Sequence, residues 1–234
     1  MNVQTPTAQA QTVVAPPAPR SVAEVGLPPI MLRDLMLKTL FRQSVEHLSD
    51  IARLLCLPVP IVQEILDTAR MQSLLEVTGT LHANSGGEMG YRLTDSGKAR
   101  AIDALAQSEY YGAAPVPMDQ YAQQVKRQSI RDIQITRRQL TEAMGDLILP
   151  HALLDHLGPA VSSGRSILMY GPPGNGKSSI SNGIRRAMGE RIFVPRAVEH
   201  AGQIIAVYDP IVHSKAQAIV DDPNCLRRTA NRHD

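Results

Sequence analysis

The chain has 234 residues, a length that allows one or two domains, with two expected, and its 43% hydrophobic and 20% charged residues are ordinary globular usage. That excludes collagenous, coiled-coil and wholly disordered classes. Twenty-four Lys and Arg against 22 Asp and Glu leave a formal charge of +2, too small to argue for nucleic acid or an anionic membrane by itself.

Residues 1–27 are rich in Ala, Pro, Gln and Thr and read as a disordered tail, because they carry too little apolar surface to offset the entropy of ordering. The amino terminus has neither an early positive charge nor an apolar h-region, so no export signal is expected, and no apolar run approaches the ~20 residues of a membrane span. Cys56 and Cys225 stand far apart with no CxxC partner. A reduced, cytoplasmic setting and no membrane insertion are therefore expected.

Pro28 and Pro29 precede a helix over Met31–Phe41, with Leu32, Leu35, Met36 and Leu40 at helical spacing. Ser49 reads as the N-cap of a second helix, Asp50–Cys56, which Pro58 ends. Pro60 opens a third, striped by Ile61, Ile65, Leu66 and Ala69. Leu74–Thr80 and Tyr91–Leu93 read as strands around a Gly-rich turn at Asn84–Gly87, and Thr94 or Asp95 caps a closing helix over Gly97–Gln107. This order over residues 28–107, with YRLTDSGKARA at the join, resembles a winged helix-turn-helix domain, an α+β fold. Such domains place their third helix in DNA, yet within 60–72 the charges are Glu64, Asp67 and Arg70, and the hairpin sets Glu88 against Arg92. Phosphate binding needs a positive cluster that these elements lack, so a protein partner is expected here and nucleic acid is not.

Gly112, Pro115 and Pro117 mark residues 108–118 as a linker. The second half, 119–234, opens with helix-like segments to Ser163, including a capping box at Ser129 and Asp132. The basic residues Lys126, Arg127, Arg131, Arg137 and Arg138 on this approach read as a solvated face or an intersubunit surface. His151 and His156 are five apart, off one helical face, and do not read as a metal site.

Ile167–Tyr170 reads as a strand, with Met169 and Tyr170 in its core. Directly after it, Gly171-Pro172-Pro173-Gly174-Asn175-Gly176-Lys177-Ser178 matches GxxxxGK[ST] in full. Glycines let successive backbone N–H groups face a polyphosphate without a side chain in the way. Lys177 then reaches the β- and γ-phosphates, Ser178 offers its hydroxyl to Mg²⁺, and Ser179 follows in the first turn of a helix over Ser178–Met188 whose dipole faces the same anion. ATP with Mg²⁺ is the expected ligand.

GPPGNGKSS, entered through LGPAVSSGRSILMY, resembles the AAA+ class of P-loop ATPases, and with the preceding winged-helix region the likeness is closest to bacterial, broadly MoxR-like members. The resemblance implies an α/β fold with an αβα nucleotide-binding core, a homo-oligomeric ring, and ATP-driven remodelling of a protein partner. That class also needs a Walker B acid, a sensor and a trans-acting arginine. Asp209, after QIIAVY, and Asp221, in AIVDD, are the acids within reach, and the element beyond Asp234 is the third option, which would make the chain an incomplete core that binds ATP with negligible hydrolysis. Gly202–Val207 otherwise reads as a strand in a hairpin with Ile192–Val194, followed by a turn at Asp209-Pro210. Two other functions stay open: an ATP-dependent DNA-binding regulator, and a scaffold that senses nucleotide without hydrolysing it.

Overall fold

The computed structural model describes residues 15–80, 89–130, 134–145, 147–189, 191–215 and 229–232. The chain is a mixed α/β protein. In order it forms α1 (Val22–Val25), α2 (Pro29–Gln43), α3 (Leu48–Leu55), α4 (Val59–Met71), β1 (Leu75–Thr80), β2 (Met89–Leu93), α5 (Asp95–Gln107), β3 (Val116–Pro117) and α6 (Met118–Arg127). There follow α7 (Arg137–Met144), α8 (His151–Ser162), α9 (Lys177–Met188), β4 (Arg191–Phe193), β5 (Ala197–His200), β6 (Gln203–Ala206), β7 (His213–Lys215) and β8 (Thr229–Arg232). The chain divides into two compact units, one built on Val125–Ile192 and the other on Ala15–Gln124 with Phe193–Ala230.

In the second of these, three helices, a hairpin and a closing helix follow in the expected order. α2 starts where Pro28 and Pro29 preset the backbone and ends at Ser44, whose amide donates to the Leu40 carbonyl and whose left-handed φ of 51° turns the chain out of the helix. It is more deeply embedded than one stripe implies, because Leu37, Lys38 and Thr39 are buried along with the expected Leu35, Met36 and Leu40. Burial pushes the Lys38 ammonium below its ordinary range, while Asp34 pulls it up, and Nζ donates to the Ser108 carbonyl at 3.1 Å. Asp34 also binds Arg33 on its own helix and Arg100 on α5, joining the two helices.

The cap expected at Ser49 lies elsewhere: α3 begins at Leu48 with His47 as the capping residue. His47 bridges Gly90, and Glu46 accepts the Tyr91 amide at 2.8 Å, so a strand contact holds the chain up to the helix start. Cys56 closes α3 in the left-handed region. α4 enters through Pro58 and Pro60 and buries Ile61, Val62, Ile65, Leu66 and Ala69. β1 and β2 are antiparallel, Leu75 opposite Leu93 and Val77 opposite Tyr91, with a bulge between Val77 and Gly79 that leaves Thr78 unpaired. Thr94 caps α5, accepting the Gly97 amide at 3.0 Å.

Two expectations about segments change. Within the tail expected over 1–27, residues 22–27 contain α1, and Val25 and Leu27 are buried in the core; residues 1–14 lie outside the described residues. The 108–118 stretch is tied down: Ala114 donates to Leu55, Gly112 donates to the Thr39 hydroxyl, and Tyr110 packs on the core. Buried donors without partners are costly, so prolines and a glycine here shape a fitted strap.

The hairpin expected between Gly202–Val207 and Ile192–Val194 pairs differently. β6 runs antiparallel to β5, while β3 adds parallel to β5 on the other side. Ala201 and Gly202, both at positive φ, make the two-residue turn whose twist suits a hairpin.

The unit built on Val125–Ile192 has its own core of Leu140, Met144, Leu154, Leu157, Val161, Ile180 and Ile184. Its capping box is at Thr136 and Gln139, seven residues beyond the expected pair at Ser129 and Asp132; Arg131 and Asp132 lie outside the described residues, as does the Asn84–Gly87 turn. Gly183 on α9 faces Met144 on α7 so closely that a Cβ there would strike the thioether, and Arg186 donates to the Ala143 carbonyl at 3.0 Å. Ile167–Tyr170 is not a strand. A strand needs a neighbour to satisfy its backbone, and this segment has no ladder among the described residues. Tyr170 is 89% exposed and Leu168 85%, with Met169 alone of the four packing on the core, so Tyr170 is not the core residue expected.

Candidate functional site

The Gly171–Ser179 segment joins Met169, anchored in the core, to α9, which is held against α7. Gly171, Gly174 and Gly176 take φ of 144°, 86° and 72°, a region that side chains strain to enter. An added Cβ at any of the three would meet open space, so backbone dihedral rather than crowding demands glycine here. The loop thereby leaves room beside its amides for a ligand.

Gly176 caps α9 in the left-handed conformation and has no side chain to satisfy the first-turn amides. The helix begins at Lys177, one residue earlier than expected, so Ser178 and Ser179 lie in its first turn and are exposed. Lys177 folds back over the loop, Nζ donating to the carbonyls of Gly171 at 3.0 Å and Pro172 at 2.7 Å. An ammonium held inside the loop's curve, amides at a bare helix start and a hydroxyl beside them form a donor-rich anion cradle. The donor set fits a Mg²⁺-bound nucleotide: Lys177 and the loop amides for phosphate, Ser178 for the metal.

The other expected residues sort differently. Asp209 follows β6 in a turn, its Oδ1 accepting the Ile211 amide at 2.8 Å, and its own amide meets His213 Nδ1 at 3.0 Å. That is the turn reading of Asp209-Pro210. Asp221 and Cys225 lie outside the described residues. Arg137 pairs with Asp155 and Arg138 with Glu142, so two members of the basic cluster are spent on ion pairs. On α4, Arg70 pairs with Asp67, and Arg92 on β2 pairs with Glu46. Among the described residues no His, Cys, Asp and Glu group could hold a metal ion, and no helix is long and apolar enough to cross a membrane.

The close seat of Gly183 on Met144 and the Arg186–Ala143 bond, which aim the loop's helix, were not foreseen. A glycine mid-helix was the available signal. No protein-family model, no curated protein and no solved structure matches the chain.

Proposed function

We propose that the chain binds ATP with Mg²⁺ at Gly171–Ser179. The observation that carries this reading is the complete GxxxxGKS loop with its three glycines at positive φ and Lys177 folded into its curve. On binding, the Lys177 ammonium exchanges two loop carbonyls for phosphate oxygens, and the bare start of α9 turns its amides to the same anion. Bound Mg²⁺ neutralises phosphate charge, and Ser178 is the residue positioned to hold it.

The test is titration with a fluorescent ATP analogue. Lys177→Ala removes a charge-assisted contact worth about 1.5–3 kcal/mol, so affinity falls more than about tenfold. Ser178→Ala weakens binding with Mg²⁺ present and leaves it nearly unchanged in chelator. Equal affinity of Lys177→Ala and the parent, both folded, overturns the assignment.

The wider reading, from the resemblance, is an AAA+-type ring that remodels a protein docked on the helical domain over 28–107. The ion-paired state of Arg70 and Arg92 supports a protein partner over DNA. Asp209 engaged in its own turn favours binding with little turnover. Phosphate release near background, unchanged by Asp209→Asn, is the expected result; clear turnover abolished by that substitution would make Asp209 the hydrolytic acid.

A further inference from the structure

β1 is an edge strand, and the direction of its free hydrogen bonds can be worked out. The Leu74 carbonyl accepts the Thr94 amide at 3.1 Å, so position 74 bonds towards β2. In an antiparallel ladder bonded and non-bonded pairs alternate, which makes Glu76 opposite Arg92 the next bonded pair. Leu75 and Val77 therefore point their N–H and C=O groups away from β2. On the far side of β2 the amide of Tyr91, which stands opposite Val77, is bonded to Glu46, as the same alternation requires. Among the described residues no strand pairs with the outer edge of β1.

Beside that edge lies an open groove of about 510 Å³, lined by Asp67, Arg70 and Met71 of α4 and by Leu75, Glu76 and Val77. Its apolar part is Met71, 80% exposed, with the half-buried Val77 beside it; the Leu75 side chain is packed in the core, and this residue offers the groove its outward backbone groups. Its charge is negative by one: Arg70 is tied to Asp67, Arg92 opposite Glu76 is tied to Glu46, and the exposed Glu76 is left over. An added strand would place every second side chain on the face of Leu75 and Val77 and the alternate ones beside Glu76. The matching sequence alternates apolar and basic residues.

We propose that the Leu75–Val77 edge and its groove receive an extended segment of a partner protein, apolar and Lys or Arg residues alternating, which adds as a third strand. The surface makes specific the docking role proposed above for this domain and needs no nucleotide.

The probe is a short labelled peptide of alternating Lys and Val, titrated by fluorescence anisotropy against the full chain without nucleotide, with an alternating Glu and Val peptide for comparison. The basic peptide binds and the acidic one binds at least about tenfold more weakly. Val77→Pro removes an outward N–H and leaves the β1–β2 bonds intact, so it abolishes uptake; Val77→Ala keeps the N–H and retains it. Should Val77→Pro fail to fold, N-methylation of the peptide amides facing β1 makes the same test on the unaltered chain. Glu76→Lys removes the preference for the basic peptide, and Lys177→Ala binds peptide as the parent does. Equal binding of the two peptides, uptake by folded Val77→Pro, or undiminished uptake of the N-methylated peptide overturns the proposal. So does a dimer of the chain, paired through β1, that takes up no peptide. None of these outcomes bears on ATP-analogue affinity, so the nucleotide reading is judged separately.

Discussion

Tyr110 sits partly buried under the strap, donating its phenol to the Ala113 carbonyl at 2.6 Å. Burial is the main cause that pushes its pKa up, from 10.0 to about 12, with the Arg196 charge opposing the rise. A raised pKa in the folded chain means that the stability this group contributes is intact below pH 10, the unfolded value, and is lost as pH climbs towards about 12. Spectrophotometric titration should therefore show a late tyrosine ionisation, and Tyr110→Phe should remove that contribution. Thr39, fully buried, donates to Leu35 at 2.8 Å and accepts the Gly112 amide at 3.0 Å. Thr39→Val leaves that amide without a partner and should cost about 1–3 kcal/mol, with hydrogen exchange at Gly112 the first to rise. At this scale the readable residues were those whose partners are local. Thr94, one of the two caps the sequence offered with Asp95, starts α5 by accepting the amide three residues ahead; His47 starts α3 through a bridge to Gly90, across a hairpin, and Ser49 looked the better cap because that bridge leaves no local mark.

Between elements, two glycines set distances. At Gly97 a Cβ would drive into the Leu74 backbone carbonyl, which cannot swing away, so Gly97→Ala should destabilise by about 1–3 kcal/mol or more in denaturant titration. At Gly183 the obstacle is the flexible end of Met144. Gly183→Ala should therefore be tolerated, whereas Gly183→Val should shift α9 and weaken nucleotide binding while α7 and α8 stay folded. Helices over 28–107 were legible from apolar spacing and proline placement. The β5–β6 hairpin was half legible: β6 stood out as an apolar run, but Ala201-Gly202 is a weak turn signal and a partner at Ile192–Val194 looked equally good by composition. Ile167–Tyr170 failed for a different reason. Its residues favour a strand, but strand formation belongs to a pair, and propensity says nothing of whether a neighbour is there.

Over the whole molecule, each unit has a separate hydrophobic core, and the Gly171–Ser179 loop belongs to one of them. Two calorimetric unfolding transitions are expected. Nucleotide at about a hundred times its Kd adds about 2.7 kcal/mol to whatever it binds, so MgATP should raise one transition and leave the other in place. Equal shifts in both would mean that the cores unfold together. The bulge at Thr78 matters at this scale too. It interrupts the regular register of β1 after Val77, leaving an open edge of three residues, shorter than the ~5–7 residues from which chains stack into fibres. Deleting Thr78 would bring Val77 and Gly79 into continuous register against Tyr91 and Gly90 and lengthen the exposed template. The deletion should make the chain self-associate edge to edge through β1, seen as light scattering that rises with concentration and is suppressed when Val77→Pro is combined with it.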